Sequence, residues 1–458
     1  MKTIFKFLSA LIIFTFLFAC SRDVAETDLW NEGPNNQEAY NKTYNEGMIK
    51  SYGNETIIKW NELLGNAIDE KMPVPQEAKI YAMVTISMHD ALNNVVPVYE
   101  TYALDNSQVN ASDISKKNIT AIADAAVSQA ARDVIVTLFS GATNAADLLL
   151  NEVLASIADE TQKNKGISIG RQAALAMLEK RQNDLPLSFT PYAPSSNDPG
   201  IYQANFYLPV WPPNTVFGQD MGDLTPFGII SGNQFLNESP LNVSSYEYAK
   251  DYNEVMTLGC DECPARTAEQ SEMAEFWREN IASSTNRLAR TFIIRDDLNG
   301  WEAARMIAIL EMAVIDSFIA SFKEKSIFRY WTPVTAIRAG NTDMNPETAG
   351  DPSWNSMTFT PPVFEFPSTH TYAAGATSEI FRNYSKKDQI SFVTISPYYL
   401  SGAERAFSSF SEYTAEHLES RIFLGHNFRY SATVGEQHGK ELGKYVLENN
   451  LRKIKNLQ

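Results

Sequence analysis

Apolar residues recur along this chain at i, i+3, i+4 and i+7, the spacing that places them on one face of an α-helix. "EAKIYAMVTISMHDAL" (77–92) follows that rule, with Pro73 and Pro75 just upstream as start signals. The Ala-rich stretch 119–139 predicts a long amphipathic helix, and 144–160 and 170–184 continue the pattern. Residues 185–245 break it. They are dense in Pro, Gly, Asn, Ser and aromatics, which predicts an ordered loop region, because a disordered linker would carry fewer aromatics. Helices resume at 268–280, where Thr267 and Gln270 stand at capping-box spacing. Residues 299–325 form the longest apolar helical pattern and predict the centre of the core. Two further helices are expected after a loop at 340–366. No strand alternation of any length and no short internal repeat is visible. The chain reads as all-α, with helical bundles in two halves, 56–245 and 246–458.

Composition narrows the function. A chain of 458 residues exceeds one small core, so one large domain or two fused bundles is expected. A formal net charge of -17 argues against nucleic acid as a partner, which needs a basic footprint. Any anion site must then be a local cluster of Lys and Arg inside an acidic shell. The N-terminus is a targeting segment: Lys2 and Lys6 precede an apolar run, Phe7 to Phe18, too short to span a bilayer. The run ends in Leu17-Phe18-Ala19-Cys20, which resembles a bacterial lipobox. Residues 1–19 are therefore expected to be a lipoprotein signal peptide, with lipid on the Cys20 thiol. That implies a protein of the bacterial cell envelope, tethered through lipid alone, at the outer membrane. Residues 20–55, rich in Asn, Glu, Asp and Tyr, read as a flexible tether. Beyond Cys20 only Cys260 and Cys263 remain. In an exported protein this C-D-E-C stretch reads first as a disulfide and second as two free thiols. No matching Cys or His pair supports a metal site.

Three stretches carry candidate chemistry. "KSIFRYWTPVTAIR" (325–338) ends the longest helix with Lys325. In "FPSTH" (366–370), Ser368 or Thr369 precedes a good helix, whose free amides and positive end suit an oxyanion. His370 lies in the first turn, placed to exchange a proton with such an anion. In "SRIFLGHNFRYS" (420–431), Arg421 offers a planar fork for two oxygens.

The order of these stretches resembles the vanadium-dependent haloperoxidases and the related type 2 phosphatidic acid phosphatases. Their pattern is Lys, six residues, Arg-Pro; then Pro-Ser-Gly-His; then Ser-Arg, five residues, His, often with Asp four later. "AKIYAMVTISMHDALNNVVPVYETY" and "YNEVMTLGCDECPARTAEQSEMAEFW" resemble bacterial haloperoxidase-like proteins as well, so the likeness runs from about residue 57 onward. The resemblance implies helical bundles of the vanadium haloperoxidase/acid phosphatase type, with the site in the C-terminal half. It implies Lys325, Ser368, Thr369 and Arg421 as oxyanion-binding residues and His370 as the acid–base group. The chain departs from the pattern at three places. Thr332 stands where the arginine should be, so Arg329 or Arg338 is the expected substitute cation. Asn427 occupies the axial histidine position in ungapped register, with His426 one residue early as the alternative. Ser431 stands in the aspartate position. If 420–431 were helical, one residue would turn the side chain by about 100°, which leaves Asn427 facing the site and His426 in a structural role. Three functions follow from the resemblance: a haloperoxidase-like protein using vanadate, peroxide and halide, with reduced or lost activity; an exported phosphatase of small phosphoesters, with phosphate as occupant; or a non-catalytic oxyanion binder.

Overall fold

The computed structural model describes residues 46–184, 187–204 and 211–454. Cys20, the expected signal peptide and most of the expected tether lie outside the described residues. The first helices are α1 (Glu46–Ile49), α2 (Glu55–Ile68), α3 (Val74–Asn93), α4 (Ile119–Leu138), α5 (Thr143–Ser156) and α6 (Glu160–Lys180). A loop region follows, with a small antiparallel pair, β1 (Phe189–Pro191) and β2 (Thr215–Phe217). Then come α7 (Tyr246–Leu258), α8 (Ala268–Phe276), α9 (Ile281–Arg295), α10 (Gly300–Phe328) and α11 (Pro333–Ala339). The chain closes with α12 (Thr369–Ser385), a hairpin of β3 (Gln389–Ser396) and β4 (Ala403–Ser409), then α13 (Phe410–Phe423) and α14 (Arg429–Asn449).

Helices carry the fold, as the periodicity predicts. Helix α10 starts at a capping box, where Asn299 accepts the Trp301 and Glu302 amides and Glu302 reaches back to the Asn299 amide. From Gly300 to Phe322 all but one of its residues are buried, because α3 lies against one side and α12 and α14 against another. One arrangement occurs twice. Asp90 on α3 accepts the amides of Tyr102, Ala103 and Leu104, and Asp316 on α10 accepts those of Phe227, Gly228 and Ile229. Each buried carboxylate thus ties down the loop that leaves or passes its helix. Helix α6 presents Gly166 and Gly170 to the backbone of α4, and α14 presents Gly435, Gly439 and Gly443 to the backbone of α12. A glycine every fourth residue is what lets each pair of helices approach so closely.

Four readings differ from expectation, the first being that α12, α13 and α14, three helices rather than two, follow the 340–366 loop. The hairpin β3–β4 occupies a stretch with no visible strand alternation. Helix α6 begins at Glu160, ten residues before the apolar pattern does, with the Asp159 side chain accepting the Thr161 and Gln162 amides. The expected tether gives way to ordered chain by residue 46: Met48, Ile49 and Tyr52 are buried, and the Tyr52 carbonyl accepts the Gly300 amide.

Candidate oxyanion site

The site is assembled from the end of α10, the segment 364–370, the last turns of α13 and the turn after it. Lys325 is buried in the last turn of α10, and its ammonium donates to the carbonyls of Phe364, Glu365 and Pro367 at 2.8, 2.8 and 2.6 Å. All three N–H groups are occupied, so Lys325 offers the site charge but no free donor. Burial pushes its pKa down, and the nearby Glu365 carboxylate opposes that. Glu365 is pushed up by the same burial, with Lys325 opposing. Its Oε1 accepts from the Asn427 amide (2.8 Å) and the Phe428 backbone (3.1 Å), while Oε2 is buried without a partner.

Segment 364–370 continues into α12. Ser368 stands at the N-cap, yet its hydroxyl caps nothing; the oxygen is buried and has no partner. The first-turn amides of α12 therefore lack both an intrahelical acceptor and a side-chain cap. Thr369 turns away, exchanging a hydrogen bond with Ser321 of α10 at 2.9 Å. His370 is half-buried in the first turn. Its Nε2 lies 2.8 Å from Nδ1 of His417, a residue on α13 that is completely buried against Trp277 and Tyr413.

Arg421 lies one helical turn beyond His417. Its Nε donates to Ser420 Oγ (3.0 Å) and one Nη donates to the Trp277 carbonyl. It pairs with no carboxylate among the described residues, and burial alone lowers it to about 9. A buried guanidinium in that condition is an electrostatic demand for an anion. Burial first, and then the Arg421 charge, hold His370 well below the usual histidine range.

Helix α13 ends at Phe423, and Gly425 adopts φ 73°, the left-handed region that favours glycine. The segment is thus a turn, not a helix, and the expected side-chain rotation does not apply. The turn is backed by the Cys260–Cys263 disulfide loop: a Cβ on Gly425 would strike the Gly259 carbonyl. Two bonds from Arg266 to the Cys260 and Phe423 carbonyls tie loop and turn together. Out of this turn His426 comes to lie within the field of Arg421, which with burial lowers it to about 3. Its Nε2 meets Thr358 Oγ1 at 2.9 Å. Asn427 points to Glu365 instead.

Comparison with known proteins bears on this geometry. The family model for the VCPO second helical-bundle domain matches residues 305–456, which span α10 to the end of α14. The vanadium chloroperoxidase of Curvularia inaequalis is 33% identical over 113 residues, a match covering 21% of this chain and 18% of that protein. Residues 305–456 thus match the vanadium haloperoxidase superfamily. Two solved structures extend the likeness in fold. The crystal structure of the first bacterial vanadium-dependent iodoperoxidase matches with a TM-score of 0.69 and 20% identity, covering 88% of this chain and 97% of that one. An apo-type bacterial vanadium-dependent chloroperoxidase gives 0.68 and 16%, covering 87% and 97%.

Against the superfamily pattern the structure sorts the candidate residues. Ser368, His370, Arg421 and His426 share one locality, and Lys325 supports its floor. Neither substitute cation is seen there. Arg338 clips the 354–355 loop through the Trp354 carbonyl and Asn355, and Arg329, exposed at φ 48° just past α10, bonds the Ser326 carbonyl. Thr332 is buried at the N-cap of α11 with its hydroxyl facing Thr335. His426 and Asn427 have exchanged the surroundings expected from the register, because Gly425 ends the helical geometry that expectation assumed. Two residues were missed. Glu365 directly precedes "FPSTH" and carries no signal of its own. His417 could have been found: it sits four residues before Arg421, on the same helical face.

Proposed function

We propose that this site binds a tetrahedral oxyanion of the vanadate type and serves peroxide-driven oxidation of halide. The observation that carries the proposal is Arg421: a buried guanidinium with no carboxylate partner among the described residues, beside an uncapped helix start and His370. The donor set fits such an anion. Arg421 neutralises charge on its oxygens, the Ser368 hydroxyl and first-turn amides of α12 donate to them, and His370 holds or delivers a proton at an oxygen of the reacting peroxide. His426 would be the ring to hold the anion's central atom, on release of its contact with Thr358. Vanadate, when bound, supplies the electron-poor centre that activates peroxide toward halide. Lys325 acts through its charge, which Glu365 partly offsets. With Thr332 in an arginine position, the countercharge is smaller than in the superfamily pattern. Activation is correspondingly weaker, so the expected substrate is iodide, the most easily oxidised common halide.

The test is vanadate and phosphate titration of the full chain, followed by iodide oxidation with peroxide. Vanadate binding and iodide turnover are expected, both lost at least tenfold in Arg421→Ala. Absence of binding, or binding indifferent to Arg421, overturns the proposal. Hydrolysis of a small phosphoester without vanadate would replace it with the exported phosphatase, and binding without either turnover would leave a non-catalytic oxyanion protein.

A further inference from the structure

His370 has two ring nitrogens, and the structure shows what occupies one of them. Nε2 faces Nδ1 of His417 at 2.8 Å, with the rings tilted at 44°. One of these nitrogens must carry the proton and the other the lone pair. The far side of His417 decides which. Its Nε2 is buried, has no hydrogen-bond partner, and lies among aromatic surfaces: the Trp277 ring centroid is 3.7 Å from its own and the Tyr413 ring 4.4 Å. If His370 donated from Nε2, a neutral His417 would have to keep its proton on that isolated Nε2. A buried N–H without an acceptor is rarer in proteins than a buried acceptor without a donor. The favourable arrangement puts the His417 proton on Nδ1, donating to His370 Nε2.

We propose that His417 is a positioning residue that locks neutral His370 in the Nδ1–H tautomer, so that His370 meets a bound oxyanion as a hydrogen-bond donor. No bond to carbon or oxygen changes in this step; one proton is placed on Nδ1 of each ring. Both rings stay neutral because desolvation disfavours the charged form and because Arg421 repels a second cation. The groups that face His370 are Arg421 and His417 on α13 and His426 in the following turn, and none of them is an acid that would favour an imidazolium. The donor role at the anion rests on the function proposed above; the tautomer does not.

The experiment therefore has two arms. In the ligand-free full chain, two-bond 1H–15N correlation spectra near pH 7.5 read the His370 tautomer directly. The wild type is expected to show Nδ1–H. His417→Phe, which keeps an aromatic ring against Trp277 but removes the donor, should shift His370 to Nε2–H, and His417→Gln, which restores an N–H donor, should return it toward Nδ1–H. An Nε2–H signal in the wild type overturns the proposal without any variant, as does an unchanged tautomer in a folded His417→Phe. In the second arm, inorganic phosphate and vanadate are titrated between pH 6 and 9. His417→Phe should bind at least tenfold more weakly and with a changed pH profile, with rescue by His417→Gln. Failure of both anions to bind the wild type counts against the oxyanion site and leaves the tautomer result standing.

Discussion

His426 and Asn427 are adjacent in the chain, and the backbone of Gly425 decides which of them shares the surroundings of Arg421. At φ 73° the turn directs His426 toward Arg421 and sends the Asn427 amide to Glu365. Restoring a histidine at the ungapped register should therefore fail. Asn427→His removes a donor to a buried carboxylate and is expected to cost about 1–3 kcal/mol of stability, with no gain in vanadate binding or peroxidase turnover. His426→Ala should weaken vanadate binding at least tenfold while leaving the melting temperature within a few degrees. The reverse pattern, a gain from Asn427→His and indifference to His426→Ala, would return Asn427 to the axial place. Much of this locality was legible in the sequence. Ser368, His370 and Arg421 stand out because their spacing is tied to helix ends and to a known motif order. What escaped is what backbone geometry sets: a positive-φ turn that shifts a register by one, and a lysine whose three donors are closed off by carbonyls of a distant segment.

At the scale of elements, the start of α12 is held by a helix that carries no functional group. A Cβ at Gly435 would run into the Ser368 carbonyl and the Thr371 hydroxyl, and one at Gly170 would run into the Ala126 carbonyl in the other half. Gly435→Ala and Gly170→Ala should each destabilise the protein by about 1–3 kcal/mol, the usual range for overpacking. Only Gly435→Ala should also weaken anion binding, because it displaces the residue at the helix start. Equal loss of binding in both variants would show that the effect is global. The glycines explain one misreading of the sequence too. Glycine is a poor helix former, so the polar, glycine-bearing first half of α6 carries no helical pattern in the sequence, whereas close packing on α4 makes it helix. The hairpin was hidden for a different reason. Its inward positions include Thr394 and Ser396 beside Phe392, while Val393 and Ile395 face out, so the apolar alternation that marks a half-buried strand is inverted.

At the scale of the molecule, helices from early and late in the chain meet over a buried acidic junction. Asp69 follows α2 and accepts the hydroxyls of Tyr81 and of Tyr398 at the hairpin tip. Glu77 on α3 accepts from Ser283 on α9 at 2.6 Å, and Glu311 on α10 accepts from Asn286 at 2.7 Å. The second carboxylate oxygen of each glutamate is buried with no partner. Arg290, whose charge opposes the rise at Glu311, bonds the Asn61 and Asn286 side-chain oxygens and, among the described residues, no carboxylate. Burial pushes both glutamates up to about 8, and the charge of Asp69 adds to it. In the unfolded chain these groups ionise near 4.5. Between those values the unfolded state releases protons that the folded state keeps, so folding stability is full below about 4.5 and falls as pH rises to about 8. Glutamine imitates a protonated glutamate and cannot ionise. Glu311→Gln should thus match the wild type at pH 5, retain more of its stability as pH rises, and exceed the wild type by about 1–3 kcal/mol at pH 9. Glu77→Gln should add to that gain less than its own single effect, because both carboxylates are raised through Asp69. Thermal unfolding of the full chain from pH 5 to 9 is the measurement. An offset between Glu311→Gln and wild type that stays constant over the whole range would mean that Glu311 is already ionised in the folded protein, and that the junction is held by charge.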